Sequence, residues 1–245
     1  MSARQRLDQA LVARGLFASR ARAQAAIAAG LVSVDGVVAD KPGQMVGRDA
    51  LLAAQEPWPW VSRAGVKLAA ALDAFGVDPT GLACLDIGAS TGGFTDVLLA
   101  RGAAHVTAVD VGHGQLDVSL AADPRVAALE SRDARTLVAA DLSAPPTLVV
   151  CDASFISLAK LLPVPLALAA PGATLICLVK PQFEAGRDRI GKGGKVADDV
   201  AEVVARETVA ALDGLAGFRV QALIDSPIRG GDGAREFLLL ATRPQ

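Results

Sequence analysis

From residue 83 onward the chain alternates short apolar runs with longer stretches in which apolar residues recur at helical spacing. The runs predict buried strands near 83 to 87, 105 to 109, 126 to 129, 147 to 151, 173 to 179, 218 to 225 and 235 to 241. The periodic stretches predict helices near 94 to 101, 115 to 121, 158 to 169 and 197 to 213, and a further helix runs from a candidate cap at Ser62 to Phe75. Strand and helix taking turns in this way mark an α/β fold with a doubly wound, mostly parallel seven-stranded sheet. Its two late strands suit an antiparallel pair at one edge.

The first part of the chain follows a different pattern. Leu7, Ala10 and Leu11 mark a helix that Gly15 stops, Ser19 caps a second helix from Arg20 to Ala29, and Gly30 ends it. Leu31 to Val38 then alternates around Asp35-Gly36, the strongest short hairpin signal. Two helices and a hairpin make a small α+β module of about fifty residues, marginal in size for folding alone. Pro57-Trp58-Pro59-Trp60 forms a stiff joint whose tryptophans either pack it or offer a ring to an RNA base. The expected boundaries are residues 1–56 for the module, 57–63 for the linker and 64–245 for the α/β domain.

Composition narrows the functional classes. With 52% hydrophobic residues in 245, the chain can bury a sizeable core, so a disordered protein is excluded. The formal net charge of -2 conceals an asymmetry: Arg4, Arg6, Arg14, Arg20 and Arg22 face only Asp8 in the first thirty residues. A basic end on a mildly acidic protein points to a polyanion partner, against the plainer reading of a solvated helix face. Cys84, Cys151 and Cys177 lie inside apolar runs, and His105 and His113 are the only histidines, so neither a metal site nor a histidine-based triad is expected. The N-terminus lacks an apolar signal core, which suggests the cytoplasm. The uncharged stretch Leu161 to Val179 is broken by Pro163, Pro165 and Pro171-Gly172, so it reads as helix, turn and strand rather than a membrane span.

Candidate chemistry centres on Cys84 to Asp96, a strand, a glycine turn and a helix start. Gly88, Gly92 and Gly93 allow a sharp turn and a close approach to a ligand, and Ser90 and Thr91 can present hydroxyls. No Gly-Lys-Ser/Thr follows, so a P-loop is excluded, and the spacing is not that of a dinucleotide fingerprint. Asp110 ends the next strand at a suitable distance to hold ribose hydroxyls. A cofactor with a ribose and no pyrophosphate fits best, which favours S-adenosylmethionine; the plainer alternative is an ordinary strand-to-helix turn. Ligands of such sheets collect at the carboxyl ends of strands, where Asp152 and Lys180 stand, with Glu236 opening the last strand and Lys67 in a first helical turn. A cation in that first turn opposes the helix dipole and implies another need for it. The polar, glycine-rich loop from Gln182 to Lys195, with Arg187, Arg189, Lys192 and Lys195, either closes over an RNA backbone or is simply solvated.

The N-terminal module resembles the S4 RNA-binding domain in Arg6-Leu7-Asp8, Gly15, Ser19-Arg20, Gly30, Gly36 and Lys41-Pro42-Gly43. The rest resembles the TlyA, or hemolysin A, family of ribosomal RNA 2'-O-methyltransferases, whose catalytic domain is FtsJ-like. The matching residues include Ser62-Arg63-x-Gly65-x-Lys67, Asp86 to Asp96, Val109 to Leu116, Asp152-x-Ser154-Phe155-Ile156, Lys180-Pro181-Gln182-Phe183-Glu184 and Glu236-Phe237. Asp133 stands where asparagine is common, and Ala234 where the family usually has asparagine. The resemblance implies a Rossmann-like class I methyltransferase fold and S-adenosylmethionine-dependent methylation of a ribose 2'-hydroxyl. The target it implies is a cytidine of 23S rRNA and also of 16S rRNA, with ribosomal subunits as partners. It implies a catalytic Lys67, Asp152, Lys180 and Glu236. It further implies a cofactor site from Gly88, Ala89, Ser90, Thr91, Gly92, Gly93, Phe94, Asp110, Val111, Asp133 and Asp152, and RNA contacts through Arg4, Arg6, Arg14, Arg20, Arg22, Lys41 and Arg63. Desolvation and neighbouring positive charge favour a neutral lysine as the base, with Lys180 the first candidate. The rival readings are an RNA-binding assembly factor without catalysis, a Rossmann oxidoreductase and a pore-former; the missing signal core and the absence of an uninterrupted span argue against the last.

Overall fold

The computed structural model describes residues 4–191, 193–231 and 233–245, so Lys192 lies outside the described residues. Contacts divide the chain into two units after Pro59. In the first, β1 (Gln5–Arg6), α1 (Leu7–Ala13) and α2 (Arg20–Ala28) are followed by β2 (Val32–Val34), β3 (Val37–Val38), β4 (Met45–Val46) and β5 (Leu52–Ala54). The Ser19 hydroxyl accepts from the Arg22 amide at 3.3 Å and starts α2 as its sequence suggests. Asp35 and Gly36 both take positive φ, +50° and +81°, which closes β2 on β3 in two residues. The sequence pattern did not reveal β4 and β5: both are very short, and β5 completes the antiparallel order β3-β2-β5. Leu7, Leu11, Ala23, Ile27 and Val32 form the core beneath the helices.

The second unit runs α3 (Ala64–Phe75), β6 (Ala83–Ile87), α4 (Gly93–Ala100), β7 (His105–Val109), α5 (Val118–Ala121), β8 (Val126–Leu129), β9 (Leu148–Cys151), α6 (Leu158–Leu161) and α7 (Pro163–Ala167). It continues through β10 (Thr174–Val179), α8 (Pro181–Glu184), α9 (Asp198–Leu212), β11 (Arg219–Asp225) and β12 (Phe237–Thr242). The sheet has seven strands in the order β11-β12-β10-β9-β6-β7-β8. All neighbours are parallel except that β12 runs antiparallel to both β10 and β11. The two late strands therefore form the antiparallel pair expected at one edge, with β11 outermost and β12 between it and β10.

Buried strands read as continuous apolar runs because both faces are covered. Leu85, Ile87, Val149 and Cys151 face the core beneath α6, α7 and α9, while Cys84, Val106, Leu148 and Val150 face the one beneath α3 and α4. Two predicted helices are cut short for local reasons. The Glu130 carboxylate accepts from the amides of Gly114, Gln115 and Leu116 at 2.8, 2.8 and 3.2 Å, which keeps that stretch a loop ahead of α5. Pro163 divides the other into α6 and α7, since its ring cannot continue the preceding helix.

Among the described residues each unit buries one aspartate completely, and the two have opposite surroundings. Asp8 receives Arg6 at 3.0 Å, Arg20 at 2.9 Å and the Gln24 amide at 2.7 Å, and Arg6 foremost holds its carboxyl well below the usual 3.8. Asp86 accepts from the Thr95 hydroxyl at 2.7 Å, and its Oδ1 has no partner among the described residues. Burial pushes its carboxyl up to about 7. The native state thus binds fewer protons at Asp8 than the unfolded chain does, and more at Asp86. Asp8→Asn is expected to weaken hydrogen-exchange protection of α1 and α2 by about 2 kcal/mol at neutral pH, a deficit that shrinks only below pH 3.8. A deficit independent of pH would show that the charge of Asp8 contributes nothing. Asp86→Asn is expected to gain in unfolding midpoint over the natural protein as pH rises from 3.8 to about 7, with no further gain above that. Parallel stability curves across that window would contradict the assignment.

Candidate active site

Strand register brings the polar residues to one edge. Ile87 pairs with both Val109 and Cys151, so Gly88, Asp110 and Asp152 emerge side by side. The Asp152 amide donates to the Ile87 carbonyl at 3.0 Å. Val179 pairs with Phe237 across the antiparallel joint, which puts Lys180, at the end of one strand, and Glu236, at the start of the other, at the same end of the sheet.

Lys67 reaches this edge from α3. That helix lies tightly against α4, since a Cβ on Gly93 would come 2.2 Å from the Ser62 Oγ; within its own segment, one on Gly65 would come 2.4 Å from the Trp60 ring. The Asp96 carboxylate accepts from the Val61 amide at 2.8 Å, securing the segment that leads into the helix. Ser62 does not cap α3 in the expected way; Arg63 occupies the cap position, and the Ser62 hydroxyl accepts from the Ala64 amide at 3.3 Å. The Lys67 ammonium meets the Glu236 carboxylate at 2.6 Å, with side chains only 5% and 4% exposed. A buried partner thus outweighs the unfavourable position of a cation in a first helical turn.

The second lysine is held differently. Lys180 Nζ donates to the Asp152 carbonyl oxygen at 2.9 Å and to the Ser154 Oγ at 2.8 Å. The Asp152 Oδ1 is also 2.8 Å away, but off the hydrogen-bonding direction, and it accepts no hydrogen bond among the described residues. Lys67, Asp152, Lys180 and Glu236 line one cavity of about 400 Å³, with Arg63, Ser154 and the turn from Gly88 to Thr91. The four residues selected at separate strand ends and on α3 therefore share a single space.

A second cavity of about 600 Å³ adjoins the first, with Gly88, Ser90, Asp152 and Ser154 common to both. Gly88 has φ +78°, and a Cβ there would come 2.8 Å from the Ala153 backbone, so the turn and the Asp152 loop can meet only at glycine. Asp110 accepts from the amides of Ser90 at 2.8 Å and Gly112 at 2.7 Å. A carboxylate has lone pairs to spare for a ribose diol beyond these bonds. Val111, largely exposed, lines the same cavity with Ile87, Val109 and Asp133. The Asp133 carboxylate is paired with Arg135 at 2.6 Å and accepts its amide at 2.9 Å. Apolar walls, a carboxylate at a strand end and a glycine turn leading toward the two lysines suit an adenosyl group carrying an amino-acid arm. No group of histidine, cysteine or carboxylate side chains among the described residues could hold a metal ion.

Several expected site residues have other work in the structure. Ala89, Thr91 and Phe94 border the first cavity, but Gly92 and Gly93 line neither. A Cβ on Gly92 would come 2.3 Å from Leu120, so these two glycines serve packing of the turn and of α3 on α4. In the N-terminal unit Arg14 donates to the carbonyls of Ala50, Gly47 and Arg48 at 2.6, 3.0 and 2.8 Å. Arg22 pairs with Glu56, donates to the Trp58 carbonyl at 3.1 Å and lies over the Trp58 ring. Both arginines are therefore engaged as internal staples, whereas Arg6 and Arg20 stay half-exposed on Asp8, and Arg4 and Lys41 are exposed. Arg63 lines the lysine cavity. Sequence reasoning overlooked Ser154, Gln115 and Phe155. Phe155 is 90% exposed at φ +67°, its ring 5.0 Å from that of Phe183; an aromatic side chain following Asp152-x-Ser154 was the available signal.

Comparison with known proteins agrees with this geometry. The FtsJ-like methyltransferase model matches residues 60–243 and the S4 domain model residues 5–52. The 16S/23S rRNA (cytidine-2'-O)-methyltransferase TlyA of Mycobacterium tuberculosis is 45% identical over 241 residues, spanning 98% of this chain and 90% of that protein. Hemolysin A of Brachyspira hyodysenteriae is 39% identical over 236 residues, 95% of this chain and 98% of that protein. Among solved structures, a "Putative hemolysin from Streptococcus thermophilus" covers all of this chain at 39% identity, with a TM-score of 0.78 over 90% of its own length.

Proposed function

The chain belongs to the TlyA family of FtsJ-like methyltransferases, with an S4 domain at its N-terminus, and from this we infer that it is an S-adenosylmethionine-dependent rRNA (cytidine-2'-O)-methyltransferase. The observation that carries the reading is the convergence of two lysine–carboxylate pairs in one cavity beside a glycine turn and the strand-end carboxylate of Asp110. The M. tuberculosis relative is named for both 16S and 23S rRNA, and we take a cytidine of either subunit as the target. The half-exposed Arg6 and Arg20, with Arg4 and Lys41, are the proposed phosphate contacts of the S4 unit, where RNA is read chiefly by shape and charge. Arg63 is proposed to hold RNA at the reacting end. For such a substrate the cytoplasm, with the ribosome, is the proposed compartment. Among the described residues no helix is long and apolar enough to cross a membrane, which gives a helical pore-former no support.

Bound S-adenosylmethionine supplies a methyl group on a positively charged sulfur. The residues proposed to hold it are Gly88 to Thr91, Asp110, Val111 and Asp133, with Asp152 at the junction of the two cavities. The chain must then orient the ribose and receive its proton. Lys180, as the neutral amine, would take the 2'-hydroxyl proton as that oxygen receives the methyl group the cofactor would supply. Asp152 holds the amine through its carbonyl and balances its charge once it is protonated. Lys67, anchored by Glu236, steadies the target ribose. Enclosure of both pairs keeps water from competing for the amine.

Lys180→Ala is expected to bind S-adenosylmethionine as the natural protein does and to lose methyl transfer by at least about a hundredfold. Calorimetry and single-turnover methylation would measure the two effects, and unchanged turnover would remove Lys180 from the chemistry.

A further inference from the structure

Besides Asp152, the structure gives the Lys180 amine one further hydrogen-bond partner: the Ser154 hydroxyl, at 2.8 Å. A lysine nitrogen has four tetrahedral directions, one taken by its own side chain. In the neutral amine two of the others carry N–H bonds and the third is the lone pair. The Asp152 carbonyl and the Ser154 Oγ account for two. The third direction meets no aligned acceptor among the described residues, because the contact at 2.8 Å with Asp152 Oδ1 lies off the hydrogen-bonding direction.

We propose that Ser154 is a positioning residue for methyl transfer, which with the Asp152 carbonyl fixes both N–H bonds of neutral Lys180 and so aims its lone pair at the ribose hydroxyl. The proposal rests on the methyltransferase reading above and adds to it a residue outside the lysine and carboxylate set. Ser154 is suitably placed, lining both cavities at their junction. It is also rigidly held. Two residues before it, the Asp152 amide is tied to the Ile87 carbonyl, and Ala153 packs against Gly88 where no Cβ fits. Four residues after it, the Leu158 amide donates to the Glu184 carboxylate at 2.9 Å, joining the loop to the helix that follows Lys180. A loop secured at both ends can hold a hydroxyl in one direction, whereas a mobile serine would leave the amine to rotate. Proton transfer balances within the groups present: the ribose hydroxyl proton becomes the third N–H of Lys180, and the Asp152 carboxylate beside it neutralises the new charge.

Ser154→Ala and Ser154→Thr test this, the threonine keeping the hydroxyl. Both are compared with the natural protein in methyl transfer to unmodified ribosomal RNA, and in binding of S-adenosylhomocysteine by calorimetry, which also reports that each variant is folded. The alanine variant is expected to lose about ten- to a hundredfold in kcat, with KM for RNA and cofactor affinity within about twofold of natural values, and threonine to recover most of the loss. Full activity of Ser154→Ala would overturn the proposal. So would a loss that threonine fails to restore, or a loss matched by weaker cofactor binding, which would make Ser154 part of the cofactor pocket. If the natural protein transferred no methyl group at all, the functional reading itself would fail.

Discussion

The carboxyl edge of the sheet depends on how closely two backbones approach where β6 and β9 end. Gly88 and Ala153 sit so near each other that a single methyl group on the glycine would collide with the neighbouring main chain. This contact merges the glycine turn and the Asp152 loop into one surface, so that Gly88, Ser90, Asp152 and Ser154 belong to both cavities at once. Separation by even one side chain would put a wall between the second cavity and the lysines. Transfer between two bound groups tolerates little error of position, which gives the glycine a catalytic consequence without a catalytic role.

The two lysine pairs at that surface are not there for stability. Removing both members of a buried ion pair from water costs much of what their attraction returns, and apolar residues of similar size commonly serve a core as well. Lys67 and Glu236 are almost fully enclosed and come from opposite ends of the second unit, the first turn of α3 and the start of β12. The fold makes provision for them: Gly93 lets α3 lie on α4, and β12 enters the sheet against the direction of its neighbours. Asp86, enclosed with one oxygen unpartnered, is another polar group kept at an energetic cost near the same edge.

The strands and the approximate location of the chemistry were legible in the sequence for a simple reason. Strands covered on both faces are written as uninterrupted apolar residues, and the polar residue that ends each run is where such sheets bind ligands. Asp152 and Lys180 followed from that rule alone; Glu236 opens its strand and reaches the same edge because β12 runs antiparallel to β10. What the sequence hid depended on partners distant along the chain. The guanidinium of Arg14 is spent on three carbonyls some thirty-five residues away, and charge counting cannot separate it from Arg6 or Arg20. Gly92 and Gly93 read as ligand glycines, yet their missing side chains make room for Leu120 and Ser62. Ser154 was hidden within a motif dominated by its aspartate.

The most direct test of ribose methylation at the paired lysines is transfer of tritiated methyl from S-adenosylmethionine to separated, unmodified small and large ribosomal subunits, followed by mapping of 2'-O-methyl positions. Label on the 2'-oxygen of a cytidine, abolished by Lys180→Ala, is the predicted result. A natural protein that binds the cofactor yet labels neither subunit would contradict it, and would make this an RNA-binding factor or an enzyme for another RNA.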